Sequence, residues 1–206
     1  MHCPLRGKCH SQRESRRGRQ KGSRNKTMLK FKTKAEARAF FKEKRAALDP
    51  EDKKNMDAAI RRHLHALPEF READPVLFYY PIKGEIDLRP LMEQGMKEGK
   101  RVALPVCREG EMHFRLIGEG VEPGAFGIPE PKGERVAPTE RTLCILPGYG
   151  YNGGHRLGYG GGYYDRFLRD FPGKTVFACY DGFFAEFPTE EHDIPAQIIL
   201  TEKGII

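Results

Sequence analysis

Hydrophobic and polar positions follow helical spacing at the start of the patterned chain. Residues 33–48 combine good helix formers with a Thr33 and Glu36 capping pair, which predicts a helix. A second helix is predicted from Pro50, with Asp49 as its N-cap. Its apolar residues recur at helical spacing: Met56, Ile60, Leu64 and Leu67. The pattern therefore predicts two N-terminal helices.

From residue 76 the pattern changes to short apolar runs bounded by Gly, Pro or charged residues, which is typical of strands. The predicted strands are Val76–Tyr80, Val102–Val106, Met112–Ile117, Leu143–Leu146, Thr175–Tyr180 and Ile198–Thr201. Helical stretches are predicted near Leu88–Glu98 and Gly162–Phe171, and residues 118–142 are predicted to be loop. Alternating strands and helices indicate an α/β fold, here a single three-layer domain with a largely parallel sheet flanked by helices.

The net charge of +7 belongs to the start of the chain and not to the patterned body. Residues 1–30 hold ten Lys or Arg and one Glu, which leaves 26 basic and 28 acidic residues in 31–206. We predict a disordered basic tail over 1–30 and a folded domain over 31–206. Met28 is a candidate natural start, and an organelle transit peptide is disfavoured because the tail lacks an apolar face.

Cysteine usage and hydropathy argue against a membrane-spanning, secreted or disulfide-rich protein. No apolar run approaches the roughly 18 residues of a membrane span, and no segment has the apolar region of a secretory signal. Three of the five cysteines lie in apolar runs, at 107, 144 and 179, which favours buried thiols over a disulfide framework. Cys3, Cys9 and His10 lack the second ligand pair of a zinc site. We expect a cytoplasmic protein.

The segment with the strongest chemical signal follows the strand Leu143–Leu146. Residues 147–162 hold eight glycines, and a strand, a glycine loop and a helix in that order point backbone N–H groups at a phosphate. Arg156 is placed to contact phosphate and Asp165 to hold magnesium. The segment matches neither a Walker A motif nor a Rossmann fingerprint. On spacing alone, a connection whose tyrosines pack into the core remains an alternative.

The run 156–165, RLGYGGGYYD, resembles 5-formyltetrahydrofolate cyclo-ligase, also called methenyltetrahydrofolate synthetase. The resemblance extends over residues 33–203 through segments in the same order: Lys34-x-x-x-Arg38, Lys44-Arg45-Ala-Ala-Leu48, Gly84-Glu-Ile-Asp87, Phe126–Pro131, Pro188-x-x-Glu-His-Asp193 and Thr201-Glu202. It implies that ATP drives cyclisation of 5-formyltetrahydrofolate to 5,10-methenyltetrahydrofolate, with Mg²⁺ as cofactor. We expect a monomer acting on small molecules, with no membrane partner; a nucleic-acid partner is disfavoured because the tail has no aromatic residue for base stacking.

The resemblance assigns residues to three roles. The ATP site comprises Lys34, Arg38, Arg156, Leu157, Gly158, Tyr159, Gly160, Gly161, Gly162, Tyr163 and Tyr164. The folate site comprises Tyr80, Glu85, Tyr159, Gly160, Gly161, Gly162 and Tyr163. The metal ligands are Asp165 and Asp193. Without the resemblance, Lys34 and Arg38 are a solvated helix face, Asp165 pairs with Arg169 at i+4, and His155 is an exposed loop residue.

Three residues depart from the family pattern: Asn152 stands where a carboxylate is usual, Tyr159 where a basic residue is frequent, and Gln197 where aspartate is common. Two other functions stay open. A divergent relative would use the ATP site on another small substrate, and binding of 5-formyltetrahydrofolate would separate it from a true cyclo-ligase. A nucleic-acid-binding protein acting through its tail would lose salt-dependent binding on truncation at Met28.

Overall fold

The computed structural model describes residues 28–82, 84–118, 120–124 and 128–206. The predicted tail lies outside these residues except for its last three, so its disorder stays a prediction, and Cys3, Cys9 and His10 also lie outside. At the start of the described chain, the backbone of Glu186 donates to Leu29 O over 2.8 Å and accepts from Phe31 N over 2.9 Å. Residues 28–30 therefore already pack on the body.

Both predicted N-terminal helices are present. Helix α1 spans Lys34–Ala46, and its capping box is formed: Thr33 Oγ1 accepts from Glu36 N over 3.1 Å, and Glu36 Oε2 accepts from Thr33 N over 3.3 Å. Helix α2 spans Pro50–Ala66 and is capped by the Asp49 carboxylate. These local hydrogen bonds satisfy the amides that a helix leaves unpaired at its first turn.

The remaining helices are α3 Pro68–Glu72, α4 Arg89–Lys97 and α5 Tyr163–Leu168. The strands are β1 Val76–Leu77, β2 Val102–Arg108, β3 Glu111–Leu116, β4 Val121–Pro123, β5 Pro129–Pro131, β6 Leu143–Leu146, β7 Tyr151–Asn152, β8 His155–Arg156, β9 Lys174–Ala178, β10 Ile198–Thr201 and β11 Gly204–Ile205. Every predicted strand and helix is therefore present, with ends shifted by a few residues. No helix in the described part of the chain is long and apolar enough to cross a membrane.

Seven strands form the central sheet in the order β11-β10-β9-β6-β1-β2-β3. The four internal pairings, from β10 to β2, are parallel, and the two edge strands β11 and β3 are antiparallel to their neighbours. The predicted largely parallel sheet is confirmed. Its parallel strands end on one edge of the sheet, which is where ligands of α/β proteins bind.

Helices cover both faces of this sheet. Phe114 and Pro105 are paired across β3 and β2 and so share a face, where Phe114 packs on Phe167 of α5 with ring centroids 5.0 Å apart. Val102 lies on the opposite face because successive strand residues alternate, and there it meets Gly95 of α4. The predicted three-layer arrangement is therefore confirmed.

The sequence predicts that residues 118–142 are loop, and this prediction is wrong for part of the segment. It contains the antiparallel pair β4 and β5, whose register joins Val121 to Pro131. Both strands are three residues long and contain proline, so neither shows the apolar alternation from which strands are predicted.

Candidate active site

A cavity of about 780 Å³ lies near the carboxyl ends of β1, β2 and β6. Tyr79 and Tyr80 follow β1, Cys107 comes from β2, and Pro147 follows β6. The cavity wall includes every residue that the sequence assigned to a ligand: Lys34, Arg38, Tyr80, Glu85, Arg156, Leu157, Gly158, Tyr159, Gly160, Gly161, Gly162, Tyr163, Tyr164, Asp165 and Asp193. Segments far apart in the chain thus meet at one site.

The glycine segment is an ordered hairpin followed by a tight loop. Strands β7 and β8 pair, and the hairpin continues through Tyr149 N to Leu157 O over 2.8 Å and Leu157 N to Gly150 O over 2.7 Å. Beyond the hairpin, Gly160 and Gly162 have φ of +99° and +67°, and α5 begins at Tyr163. Positive φ favours glycine, so the glycines shape this wall of the cavity.

Gly160→Ala should lower kcat/KM by about 10-fold, because positive φ costs a residue with a Cβ about 1–2 kcal/mol. The added Cβ would also contact the Arg38 guanidinium, 3.4 Å from Cζ. Steady-state kinetics with ATP varied would measure the loss. Gly158→Ala is the matched control in the same loop, since a Cβ there meets no atom within 4 Å. Equal losses in the two variants would contradict this account.

Helix α1 brings two cations to one end of the cavity. Lys34 Nζ lies 2.6 Å from Asp193 Oδ2 and 2.9 Å from Glu190 Oε2. Burial alone would lower the pKa of Lys34, but its hydrogen bonds to Asp193 and Glu190 outweigh burial and hold that pKa above its ordinary value. Arg38 Nε donates to Gly158 O over 2.8 Å. A charged lysine and an arginine held against the glycine loop can bind an anion such as a phosphate.

Arg156 points into the protein and pairs with Asp165. Its side chain is only 3% exposed, and Nη2 lies 2.8 Å from Asp165 Oδ1. Nη1 donates to Ile194 O, and Ile194 N donates back to Asp165 Oδ1 over 3.3 Å. Asp165 therefore pairs with Arg156 and not with Arg169. This geometry favours a positioning role for Arg156, which fixes Asp165 and the segment around Ile194.

A buried carboxylate, Glu85, also lines the cavity. Its carboxylate accepts from Ile82 N over 2.8 Å and from the Tyr159 hydroxyl. Burial raises the pKa of Glu85 above its ordinary value, and these two hydrogen bonds offset the effect only in part. Glu85 is 8% exposed yet lines the cavity. A buried carboxylate of this kind can bind a ligand edge that carries N–H donors.

Oxygen ligands for a magnesium ion are available near the cations. Asp165 Oδ2 accepts no hydrogen bond from the residues described, and the side chain is 23% exposed in the cavity wall. Both oxygens of Asp193 accept from Lys34 Nζ, over 2.8 and 2.6 Å. Burial alone would raise the pKa of Asp193, but the hydrogen bonds from Lys34 and Glu190 N and the nearby positive charge together lower that pKa. Both groups are thus oxygen donors of the kind Mg²⁺ prefers.

The structure adds residues to which the sequence assigned no role. Glu190 and His192 also line the cavity, and with Asp193 their ligand atoms lie within 4.8 Å of one another. Arg45 is a buried neighbour of the site that donates to the Tyr159 hydroxyl over 3.1 Å. A signal for Arg45 existed, since it follows Lys34 at i+11 on the same helix face. His155, by contrast, lies in β8 and is not part of the cavity wall.

The two departures outside the loop make ordinary structural contacts. Asn152 donates to Phe187 O over 3.0 Å. Gln197 Oε1 accepts from Thr175 N over 3.1 Å, while Gln197 N donates to Thr175 Oγ1 over 3.0 Å. Neither side chain lines the cavity. The third departure, Tyr159, is the one that lies inside it.

Comparison with known proteins agrees with this geometry. The model of the 5-formyltetrahydrofolate cyclo-ligase family matches residues 30–202. The 5-formyltetrahydrofolate cyclo-ligase of Escherichia coli K12 is 32% identical over 179 residues, which cover 81% of this chain and 98% of that protein. The enzyme of the same name from Haemophilus influenzae is 29% identical and is covered over 90% of its length.

Two solved structures share the fold. The NMR structure of Aquifex aeolicus 5,10-methenyltetrahydrofolate synthetase is 37% identical, with a TM-score of 0.76 over 84% of this chain and 91% of that one. The 5,10-methenyltetrahydrofolate synthetase of Mycoplasma pneumoniae is 23% identical, with a TM-score of 0.68 over 82% of this chain and 98% of that one. The second likeness concerns the fold alone.

Proposed function

Because the chain belongs to the 5-formyltetrahydrofolate cyclo-ligase family, we propose that its cavity binds ATP and 5-formyltetrahydrofolate side by side. The protein is an ATP-dependent cyclo-ligase that forms 5,10-methenyltetrahydrofolate and releases ADP and phosphate. One observation carries the assignment of the site. The cations of α1 and the carboxylate of Glu85 line the same cavity, and the glycine loop contacts both.

The reaction needs two groups held in contact and little covalent chemistry from the protein. The formyl oxygen attacks the γ-phosphorus of ATP, and ADP leaves. N10 of the folate then attacks the activated carbon, loses its proton and closes the ring, while phosphate departs with the former formyl oxygen. Phosphorylation thus converts a poor leaving group into a good one. The protein contributes by positioning both substrates and stabilising charge.

Lys34 and Arg38 are proposed to hold the phosphates of ATP. Lys34 is kept charged by its carboxylate partners, and Arg38 lies against Gly158 and Gly160 of the loop. Glycines allow a phosphate to approach the backbone closely. Charge on the transferred phosphoryl group is spread over its oxygens, so donors fixed around it stabilise the transition state.

Glu85 is proposed to bind the pterin ring of the folate through that ring's N–H donors. Tyr80 also lines the cavity, and Ile82, Met112 and Ile128 add apolar surface. Aromatic and apolar walls with one polar anchor are typical of sites for flat organic ligands. The same cavity thereby offers cations for the phosphates and an apolar wall with a carboxylate for the folate.

Magnesium is proposed to bind at Asp165 and Asp193, with Glu190 and His192 as neighbouring groups. Both aspartates line the cavity beside the proposed phosphate ligands, and Asp165 keeps one carboxylate oxygen unbonded to other described residues. When bound, the ion would neutralise charge on the phosphate oxygens. With the ion bound, Lys34, which pairs with Asp193 in this structure, would be available to bind the phosphate oxygens.

The direct test measures the near-ultraviolet absorbance of the methenyl product with purified protein, 5-formyltetrahydrofolate and Mg²⁺. We expect a rise with ATP and none with ADP, the matched control. A flat trace from a protein that binds ATP by calorimetry would contradict the proposal and favour a relative with another small substrate.

We also propose that the protein is a monomer in the cytoplasm, with small-molecule partners and no nucleic-acid partner. Three described cysteines, Cys107, Cys144 and Cys179, are free thiols, which supports a reducing compartment. Salt-dependent binding of nucleic acid by the full chain, lost on truncation at Met28, would contradict the last part of this proposal.

A further inference from the structure

Tyr159 is the middle member of a directed hydrogen-bond chain. Arg45 Nη1 donates to the Tyr159 hydroxyl oxygen over 3.1 Å, and that hydroxyl donates to Oε1 of Glu85. A guanidinium has donors only. The phenol proton therefore cannot turn toward Arg45 and is directed to Glu85.

Packing fixes this chain in place. Arg45 is 9% exposed, also donates to Gly148 O, and lies over the ring of Tyr149 at 4.8 Å from its centroid. The Tyr159 ring meets the same Tyr149 edge-on, with centroids 4.7 Å apart. A Cβ at Gly84 would lie 3.4 Å from Arg45 Cγ, so the turn that carries Glu85 packs against the arginine side chain.

The chain also affects the charge of Glu85. Its titratable neighbours come from five parts of the fold: Arg45 of α1, Lys53 of α2 with its partner Asp57, Tyr79 after β1, Tyr159 of the glycine segment, and Tyr164 of α5. Among the groups that lower the pKa of Glu85 against its burial, the Tyr159 hydroxyl ranks first. Removing that hydroxyl should therefore raise the pKa of Glu85 further.

We propose that Arg45 and Tyr159 are positioning residues that hold the Glu85 carboxyl group oriented for the N–H donors of the reduced folate. This inference rests on the proposed function of the cavity. It assigns Tyr159 a role beyond lining the cavity. Because Tyr159 lies between Gly158 and Gly160, the loop that binds the nucleotide also sets the carboxylate that binds the folate.

The test is Tyr159→Phe, which keeps the ring and removes the hydroxyl. We expect the KM for 5-formyltetrahydrofolate to rise about 10- to 100-fold, as for loss of a hydrogen bond to a charged group. The KM for ATP and the kcat at saturating folate should change much less. The acidic limb of the pH profile of kcat/KM should move to higher pH, since Glu85 would take up its proton at a higher pH than in the wild type. Tyr151→Phe is the matched control, because that hydroxyl donates to Asp181 O away from the cavity.

A double-mutant cycle with Glu85→Gln separates positioning from packing. If Tyr159 acts through Glu85, the Phe substitution should have little further effect on the folate KM in the Gln variant. Additive effects, or an unmoved acidic limb in Tyr159→Phe, would overturn the inference. A wild-type protein without ATP-dependent cyclisation would instead refute the proposed function, so the two failures are distinguishable.

Discussion

Lys34→Met should reduce kcat by about 100- to 1,000-fold, the loss expected when one preorganised donor to transition-state charge is removed. Lys34 is the first residue of α1 and lines the cavity with its charge held by Asp193 and Glu190. A cation at a helix N-terminus is unfavourable for the helix itself. The Lys34 and Asp193 side chains are 17% and 16% exposed, so loss of the pair should cost about 1–2 kcal/mol of unfolding free energy, between the values for exposed and buried pairs, and relief of the helix dipole offsets part of that cost.

Steady-state kinetics and urea unfolding of the same preparation would measure the two effects. Lys42→Met is the matched control, since Lys42 lies exposed on the same helix and outside the cavity wall. Near wild-type kcat in Lys34→Met would remove this lysine from the phosphate site. A large loss of stability would show that its pairing with Asp193 is mainly structural.

Arg156→Ala should destabilise the protein by about 3 kcal/mol, the lower part of the range for breaking a buried ion pair by removing one partner. The lower part applies because Asp165 keeps 23% exposure and can be partly solvated. The substitution also leaves Ile194 O without the donor it has from Arg156. Urea unfolding at neutral pH would measure the loss.

Arg101→Ala provides a control with an exposed pair. Arg101 and Asp74 are 53% and 42% exposed at 3.1 Å, so its loss should cost no more than about 1 kcal/mol. If Arg156→Ala were as stable as the wild type and showed only a higher KM for ATP, Arg156 would contact phosphate directly. That outcome would restore the role inferred from the sequence and contradict the structural one.

Local signals in the sequence were sufficient for most of the fold. The capping pair Thr33 and Glu36 and the Asp49-Pro50 start act within one helical turn, so both N-terminal helices follow from neighbouring residues. The apolar runs around β6 and β10 are long enough to predict strands without knowledge of the neighbouring strands in the sheet. By contrast, β4 and β5 depend on pairing with each other, and short proline-containing segments lack the apolar alternation that would predict it.

The cavity residues were predicted through motifs, but their partners were not. The RLGYGGGYYD run identified the loop, and the spacing of Lys34 and Arg38 placed both on one helix face. The Tyr159 to Glu85 hydrogen bond joins residues 74 positions apart. The spacing of Arg45 places it on the helix face of Lys34, but nothing near it in the chain indicates that it is buried.

The sequence by itself thus determined the order of helices and strands, the layered α/β class and the family-like loop, since these depend on periodicity, capping and glycine at neighbouring positions. Only the tertiary structure decided that Arg156 faces Asp165, that Lys34 meets Asp193, and that Arg45 directs Tyr159 toward Glu85. The physical reason is that a charged group's partner and burial depend on which distant segments pack around it, and that packing forms only when the whole sheet assembles.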